Sequence, residues 1–315
     1  MRIETADRLK ALCIALMIVG HCSISAGLHD LIYLFHIPLF FFVSGYFFKE
    51  GEPLARIRLD IRRLLLPYAV GVLLVAFKYG VDALRTGDAS SLPQLALSAL
   101  AVGPGLSFAG YENLAVGPLW FLPALFFCRA FFGLLSKVRN GMWIAAMLGV
   151  LVSLLPDGIW LPFGIQQGIA GMFFYAAGHG FANARMLGGF HFALPTCALF
   201  ALSAVWIPST DMHTGLYPVP VLSVFAPLGA CVLLWRAVYC LEGRQWKVLS
   251  AVSYCGRISL VILVVHYLEV MTFDWYARLA FMPFWAVSVL RVAVDFAVAL
   301  VVTRIPAVRR LFCIK

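Results

Sequence analysis

Three histidines stand where a polar side chain is costly. His21, His36 and His266 each lie inside an apolar run, away from turns and tails, and ionisable groups in such runs mark functional sites by default. Imidazole exchanges a proton near neutral pH, so base catalysis on a hydroxyl is the chemistry that these residue types suggest. For any one of them, a hydrogen bond to a neighbouring carbonyl, worth around 1 kcal/mol, is a sufficient account. Three at one level favour a shared polar site. No carboxylate is expected beside them and no HxxxH pair occurs, which argues against a metal centre. Arg291 and Asp295, four residues apart, are expected to neutralise one another on one helix.

Lys10 adds a second chemical group to the line of His21. The two are 11 residues apart, which on a helix is ~20° from a whole number of turns and ~16 Å along the axis. They therefore share a face. Asp7 lies ~40° from that line and can pair with Lys10 at i,i+3, whereas Arg8 points elsewhere. A cation at one end of a face and an imidazole at the other suit a long substrate with an anionic head and a reactive tip. Acyl-CoA has that shape. The plain alternative for Lys10 is a snorkelling anchor.

The elements that must position these groups are membrane helices. Of 315 residues, 63% are apolar and only 12% charged, and the mean hydropathy is +0.93; ordinary soluble domains carry about 25% charge. Apolar runs of about 20 residues span a bilayer. The breaks between them delimit ten candidate spans at 9–27, 31–48, 64–80, 119–136, 142–156, 161–181, 190–207, 218–240, 251–273 and 280–303. The expected fold is an all-α integral membrane bundle of about ten helices, forming one domain over residues 1–315 with no separate soluble part. The first span has a basic start and small residues near Ser25, like a signal peptide. Glu4 and Asp7 spoil that pattern, and a retained helix is expected.

Charge gives the orientation. With the N-terminus cytoplasmic, 20 of the 24 Lys and Arg fall at cytoplasmic ends and loops, as the positive-inside rule requires. The net charge of +9 is then a topological signal and not a nucleic-acid footprint. Both termini are expected inside. The three histidines then fall in the outer half of the bilayer. The eight cysteines contain no CxxC pair, so neither disulfides nor zinc are indicated. The long outer connection 81–118 contains an apolar stretch, Leu92 to Leu100, and is a candidate for contacting an external substrate.

The chain resembles the membrane acyltransferases of acyltransferase family 3. Asp7-Arg8-Leu9-Lys10 with His21 is similar to the family's basic-residue, ten-spacer, histidine motif. Phe35-His36-Ile37-Pro38-Leu39-Phe40-Phe41-Phe42-Val43-Ser44-Gly45-Tyr46 is similar to its second-helix signature. Arg62-Arg63-Leu64-Leu65-Leu66-Pro67-Tyr68, Pro118-Leu119-Trp120-Phe121-Leu122 and Gly256-Arg257-Ile258-Ser259-Leu260 followed by His266 resemble later blocks, in the expected order. The resemblance implies a ten-helix enzyme of the bacterial inner membrane. It would pass an acyl group, most often acetyl, from cytoplasmic acyl-CoA to a hydroxyl of a cell-surface, exopolysaccharide or lipid-linked carbohydrate. His21 would take the catalytic role and Lys10 the donor contact.

His36 and His266 would orient His21, stabilise the oxyanion or hold the acceptor. Arg56, Arg58, Arg62 and Arg63 are candidates for gripping CoA phosphates, and orientation signals otherwise. Asp7, Ser44, Trp120 and Ser259 are supporting candidates; for Trp120 an interfacial anchor is the plainer reading. No permanently bound cofactor or metal is expected; acyl-CoA is a co-substrate, and the bilayer and a carbohydrate or glycolipid acceptor are the partners. A transporter or flippase is the main rival, yet such proteins place carboxylates in mid-membrane and show repeated halves. A receptor would leave the Lys10–His21 face unexplained.

Overall fold

The computed structural model describes residues 3–102, 107–108, 111–112, 116–155, 161–183, 198, 201, 210–219, 221–244 and 246–314. These are overwhelmingly helical; a two-residue antiparallel pair, Ser107–Phe108 with Tyr111–Glu112, is the exception of note. Helix α1 (Glu4–Gly20) ends in a cap at His21, and α2 (Ala26–Tyr46) returns alongside it. The run expected at 9–27 thus stops earlier. Beyond Gly20 the chain makes a short turn, so His21 rides on the end of a helix and not within its middle.

Helix α3 (Pro53–Asp60) continues through a π turn (Ile61–Leu65) into α4 (Leu66–Thr86). Pro67 has no N–H, so the carbonyl of Arg63 four residues earlier lacks its usual donor and the turn widens. Then come α5 (Ser91–Ala101), a 3-10 turn (Gly117–Trp120), α6 (Phe121–Leu135), α7 (Gly141–Val152) and α8 (Ile165–Asn183). After these follow α9 (Leu222–Tyr239), α10 (Lys247–Arg257), α11 (Ser259–Thr272), the single turn α12 (Trp275–Arg278), α13 (Phe284–Val302) and α14 (Pro306–Leu311).

Five of the described helical segments are long and apolar enough to cross a membrane, and a sixth if α10 and α11 count as one. They are Ala26–Tyr46, Pro53–Thr86, Gly117–Leu135, Leu222–Tyr239 and Phe284–Val302. Two more apolar helices, α5 and α7, are shorter. The multi-pass character is plain, while ten spans are not established by these helices; the expected span at 190–207 lies, apart from residues 198 and 201, outside the described residues. The run at 251–273 is not one rod. It breaks at Ile258 with a 68° bend, where the backbone leaves helical geometry (φ −99°, ψ 14°).

Close helix contacts explain where small residues sit. A Cβ on Gly45 would overlap the Tyr175 carbonyl, and one on Gly178 the Phe42 carbonyl, so α2 and α8 touch backbone to backbone. Such small-residue seams are how helices associate when lipid removes the hydrophobic drive. Gly256 meets the carbonyl of Asp7 in the same way, locking α10 onto α1 just before the bend. Outward faces of α4 and α13 expose Leu73, Phe77, Trp285, Val289 and Val301, as lipid-facing sides do.

The start of α1 is capped from a distant segment. Ile3 offers no side-chain cap; the Glu242 carboxylate instead accepts from the backbone N–H of Glu4 at 3.0 Å and of Thr5 at 2.7 Å, and from the Thr5 hydroxyl. Partial burial pushes the Glu242 carboxyl up, but the Thr5 hydroxyl, the two amides and the Arg8 charge outweigh it and hold it below the usual range. A depressed carboxyl contributes stability that is complete above the ordinary Glu value of about 4.3 and is lost as pH falls through the lower folded value. Glu242→Gln is therefore expected to melt below the parent protein at neutral pH, with the difference closing as pH falls through the lowered folded value. A difference that ignores pH would assign the effect to shape alone.

Candidate active site

His21 closes α1, and the helix end itself sets the ring. The last carbonyls of a helix have no helical donor; that of Met17 accepts from the His21 backbone N–H at 3.2 Å and from the side-chain Nδ1 at 2.7 Å. With Nδ1 donating, Nε2 carries the lone pair. His36 is held alike, its Nδ1 donating to the Ile32 carbonyl at 2.7 Å. His21 is clamped from the far side as well. Arg291 donates to its carbonyl oxygen at 2.9 Å, and two residues on, the Ser23 N–H donates to the Tyr276 hydroxyl at 2.8 Å.

The structure brings the three histidines of the sequence reading into one neighbourhood, with unequal roles. The rings of His21 and His266 meet edge to face with centroids 5.3 Å apart. His36 is reached through Tyr33, whose ring lies 6.4 Å from His21 and 5.1 Å from His36. His21 and His36 line a cavity of about 440 Å³, while His266 is fully buried behind its wall. A second chamber, of about 500 Å³, also borders His21. Val270 and Met271 also line both.

Two expectations about carboxylates need correction. His266 is not without acidic company: its Nδ1 lies 2.7 Å from an Asp295 oxygen and 3.1 Å from one of Glu269. Nor do Arg291 and Asp295 neutralise one another through their spacing of four. Arg291 makes a two-point ion pair with Glu269, at 3.0 and 3.1 Å, which leaves Asp295 to His266. Helical spacing allows a pair but does not choose it; Glu269, on α11, reaches Arg291 on α13 instead.

The donor atoms of His266, Glu269 and Asp295 all lie within 4.8 Å of one another, the right types for a divalent ion. Arg291 already neutralises Glu269, however, and His266 Nδ1 faces Asp295 at hydrogen-bond distance. The cluster reads as an ion-paired relay. Two carboxylates and one guanidinium leave one negative charge, and the imidazole touching both carboxylates is placed to balance it. Its Nε2 is buried and has no partner among the described residues.

Trp120 is buried and stacks on His213, with centroids 5.0 Å apart and planes 20° from parallel; both line the first cavity, as do Asp211 and Ser259. Ser259 opens α11 immediately after the bend. Gly117, in the same 3-10 turn as Trp120, has φ +50° and faces the Tyr267 ring, a conformation that L side chains adopt poorly.

The cationic candidates divide. Lys10 lies over the Phe47 ring at 6.0 Å. Arg56 lies on Phe48 at 4.2 Å and donates to the Lys49 carbonyl. Arg58, Arg62 and Arg63 are exposed, while Asp7 is buried at the seam with α10. Ser44 accepts from Arg129 at 3.1 Å, and Arg129 grips the buried Asp60 through two bonds at 2.8 and 3.0 Å. That pair pins the π turn carrying Arg62 and Arg63 to α2 and α6.

Sequence reasoning missed Tyr33, Asp211, His213, Glu269, Asp60 and Arg129. Glu269 had a usable signal, three residues after His266 and hence on its face. Asp211 and His213 had none. They sit in a short turn closed by paired backbone bonds between Asp211 and Leu216, at 3.0 and 2.9 Å, which no periodicity announces.

No curated protein and no solved structure matches the chain significantly. A family model described as an acyltransferase domain does, over residues 3–304. With nearly the whole chain covered by that match, on membrane-type helices folded around a histidine-lined cavity, the protein belongs to acyltransferase family 3 and is a membrane acyltransferase.

Proposed function

We propose that the protein moves an acyl group, acetyl in the first instance, from cytoplasmic acyl-CoA to a hydroxyl of an outward-facing carbohydrate. The observation that carries this reading is the state of His21: Nδ1 is committed to Met17, which leaves Nε2 as the base, and the ring borders two chambers at once. Nε2 takes the proton of the acceptor hydroxyl as its oxygen attacks the thioester carbonyl. The new C–O bond forms, the C–S bond breaks, and the proton passes from imidazolium to the departing thiolate. Bases of this kind contribute about 10²–10⁴-fold.

The first cavity, of about 440 Å³, suits the donor arm. Along α11 its lining runs from Ser259 to Met271, 12 residues or ~18 Å at 1.5 Å per residue, between apolar side chains such as Ile14, Met17 and Leu263. Lys10 stands ~16 Å from His21 on the same helix, and with the exposed Arg58, Arg62 and Arg63 it would meet CoA phosphates on the cytoplasmic side. Trp120, His36 and Ser259 shape this cavity and touch the arm.

Membrane vesicles supplied with acyl-labelled acetyl-CoA and a panel of glycans test the reading. Label is expected in a glycan ester, dependent on both substrates. Label that stays in acetyl-CoA with every glycan, together with glycan movement across the vesicle wall, would make the protein a carrier.

A further inference from the structure

The second chamber beside His21 is chemically unlike the first. Six of its nine lining residues carry a hydrogen-bonding or charged group, including Thr272, Asp274, Trp275, Tyr276 and Arg291. We propose that this chamber, walled by the α11–α12 connection and α13, is the acceptor seat, and that it takes an uncharged sugar ring stacked on Trp275 or Tyr276 with one hydroxyl presented to His21. This rests on His21 being the base.

Four features point to that ligand. Flat aromatic walls come first: Phe273 and Trp275 meet edge to face with centroids 4.7 Å apart, and sugar C–H faces pack on such rings. Second, the indole N–H of Trp275 is buried and has no partner among the described residues. An unsatisfied buried donor is costly, and a hydroxyl oxygen in the chamber would satisfy it. Third, Asp274 uses one carboxylate oxygen on the Ala277 N–H at 3.0 Å, which leaves acceptor capacity on the carboxylate for a sugar hydroxyl.

Charge supplies the fourth. Arg291 is the cation in the lining, but its guanidinium is occupied by Glu269 and by the His21 carbonyl. An anionic acceptor would find no uncommitted cation among the described lining residues, and a neutral ring suits the chamber better. The walls are also rigid where they need to be. The Tyr276 hydroxyl is held by Ser23 and lies 3.2 Å from the Ser288 hydroxyl, so the ring beside the base cannot swing away. The two chambers share His21, Val270 and Met271, so donor and acceptor would each reach the imidazole from a chamber of its own.

Two measurements decide it. The full-length protein in nanodiscs, without acyl-CoA, is irradiated with diazirine-bearing hexose and N-acetylhexosamine disaccharides, and labelled residues are mapped by mass spectrometry. Labelling within 270–276 that unlabelled sugar competes away, and that Trp275→Ala removes, is the expected result. Labelling at Trp120 and 211–213 instead, or none at all, overturns the proposal. In vesicles active for transfer, Trp275→Ala is expected to raise the acceptor KM about tenfold with the acyl-CoA KM unchanged, and Trp275→Phe, which keeps the ring but not the N–H, to fall between. A rise in the acyl-CoA KM overturns it. Competed labelling at 270–276 in a protein that transfers no acyl group would leave the sugar seat standing and remove the acyltransfer mechanism.

Discussion

Replacement of His21 by alanine is expected to lower acyl transfer by about a hundredfold to ten-thousandfold, the range of general-base catalysis. Alanine also removes a hydrogen bond, so it does not isolate the chemistry. His21→Asn does. The asparagine amide can still donate to the Met17 carbonyl, as Nδ1 does at 2.7 Å, but it has no nitrogen that accepts a proton. Both variants should accumulate in the membrane and melt close to the parent protein, while steady-state transfer to a glycan shows the loss. An asparagine variant with near-parental turnover would mean that His21 positions a substrate and takes no proton.

Asp295 should give the second largest effect. It is fully buried in α13, with the His266 imidazole 2.7 Å away as its partner. Asparagine preserves the size but removes the charge. Hydrogen bonds to charged groups are worth about 1.5–3 kcal/mol, so a ten- to hundredfold fall in kcat is expected, with the acyl-CoA KM little changed. The mechanism is indirect. His266 stands 5.3 Å behind His21, and a compensated charge there sets the field in which His21 gains and loses its proton. Double-mutant cycles in kcat would distinguish partners: the coupling of Asp295 to His266 should exceed that of Asp295 to Arg291. The reverse order would restore the pairing that spacing alone suggests.

Much of this architecture was legible in the residues, for reasons that also mark the limits. Hydropathy is strong evidence wherever a helix faces lipid, so α2, α4, α9 and α13 lie close to their expected places. It is weaker where helices pack on protein. The 17-residue α1 carries four charged side chains in its first seven positions and starts well before its apolar run. The bend at Ile258 was not legible, because the two arms together pass as one apolar run and the close approach beside the bend joins Gly256 to Asp7, some 250 positions away. Lys10, His21, His36 and His266 stood out because polar groups are scarce in such sequences. Glu269 and Arg129 were equally scarce but sat near span ends, where charge is ordinary. Their partners, on other helices, are what give them significance.

Lys10 and His21 share one uninterrupted rod, and that fact restricts how the gene can vary. Any substitution between them is judged on packing, residue by residue. An insertion or deletion is judged differently, because each residue added or removed turns the imidazole by ~100° and displaces it by 1.5 Å relative to the lysine. Adding four nearly restores the facing but lengthens the gauge by ~6 Å. In related proteins that keep this donor, the spacing should therefore be the invariant and the residues between the variable, with length changes collected in the turn after His21.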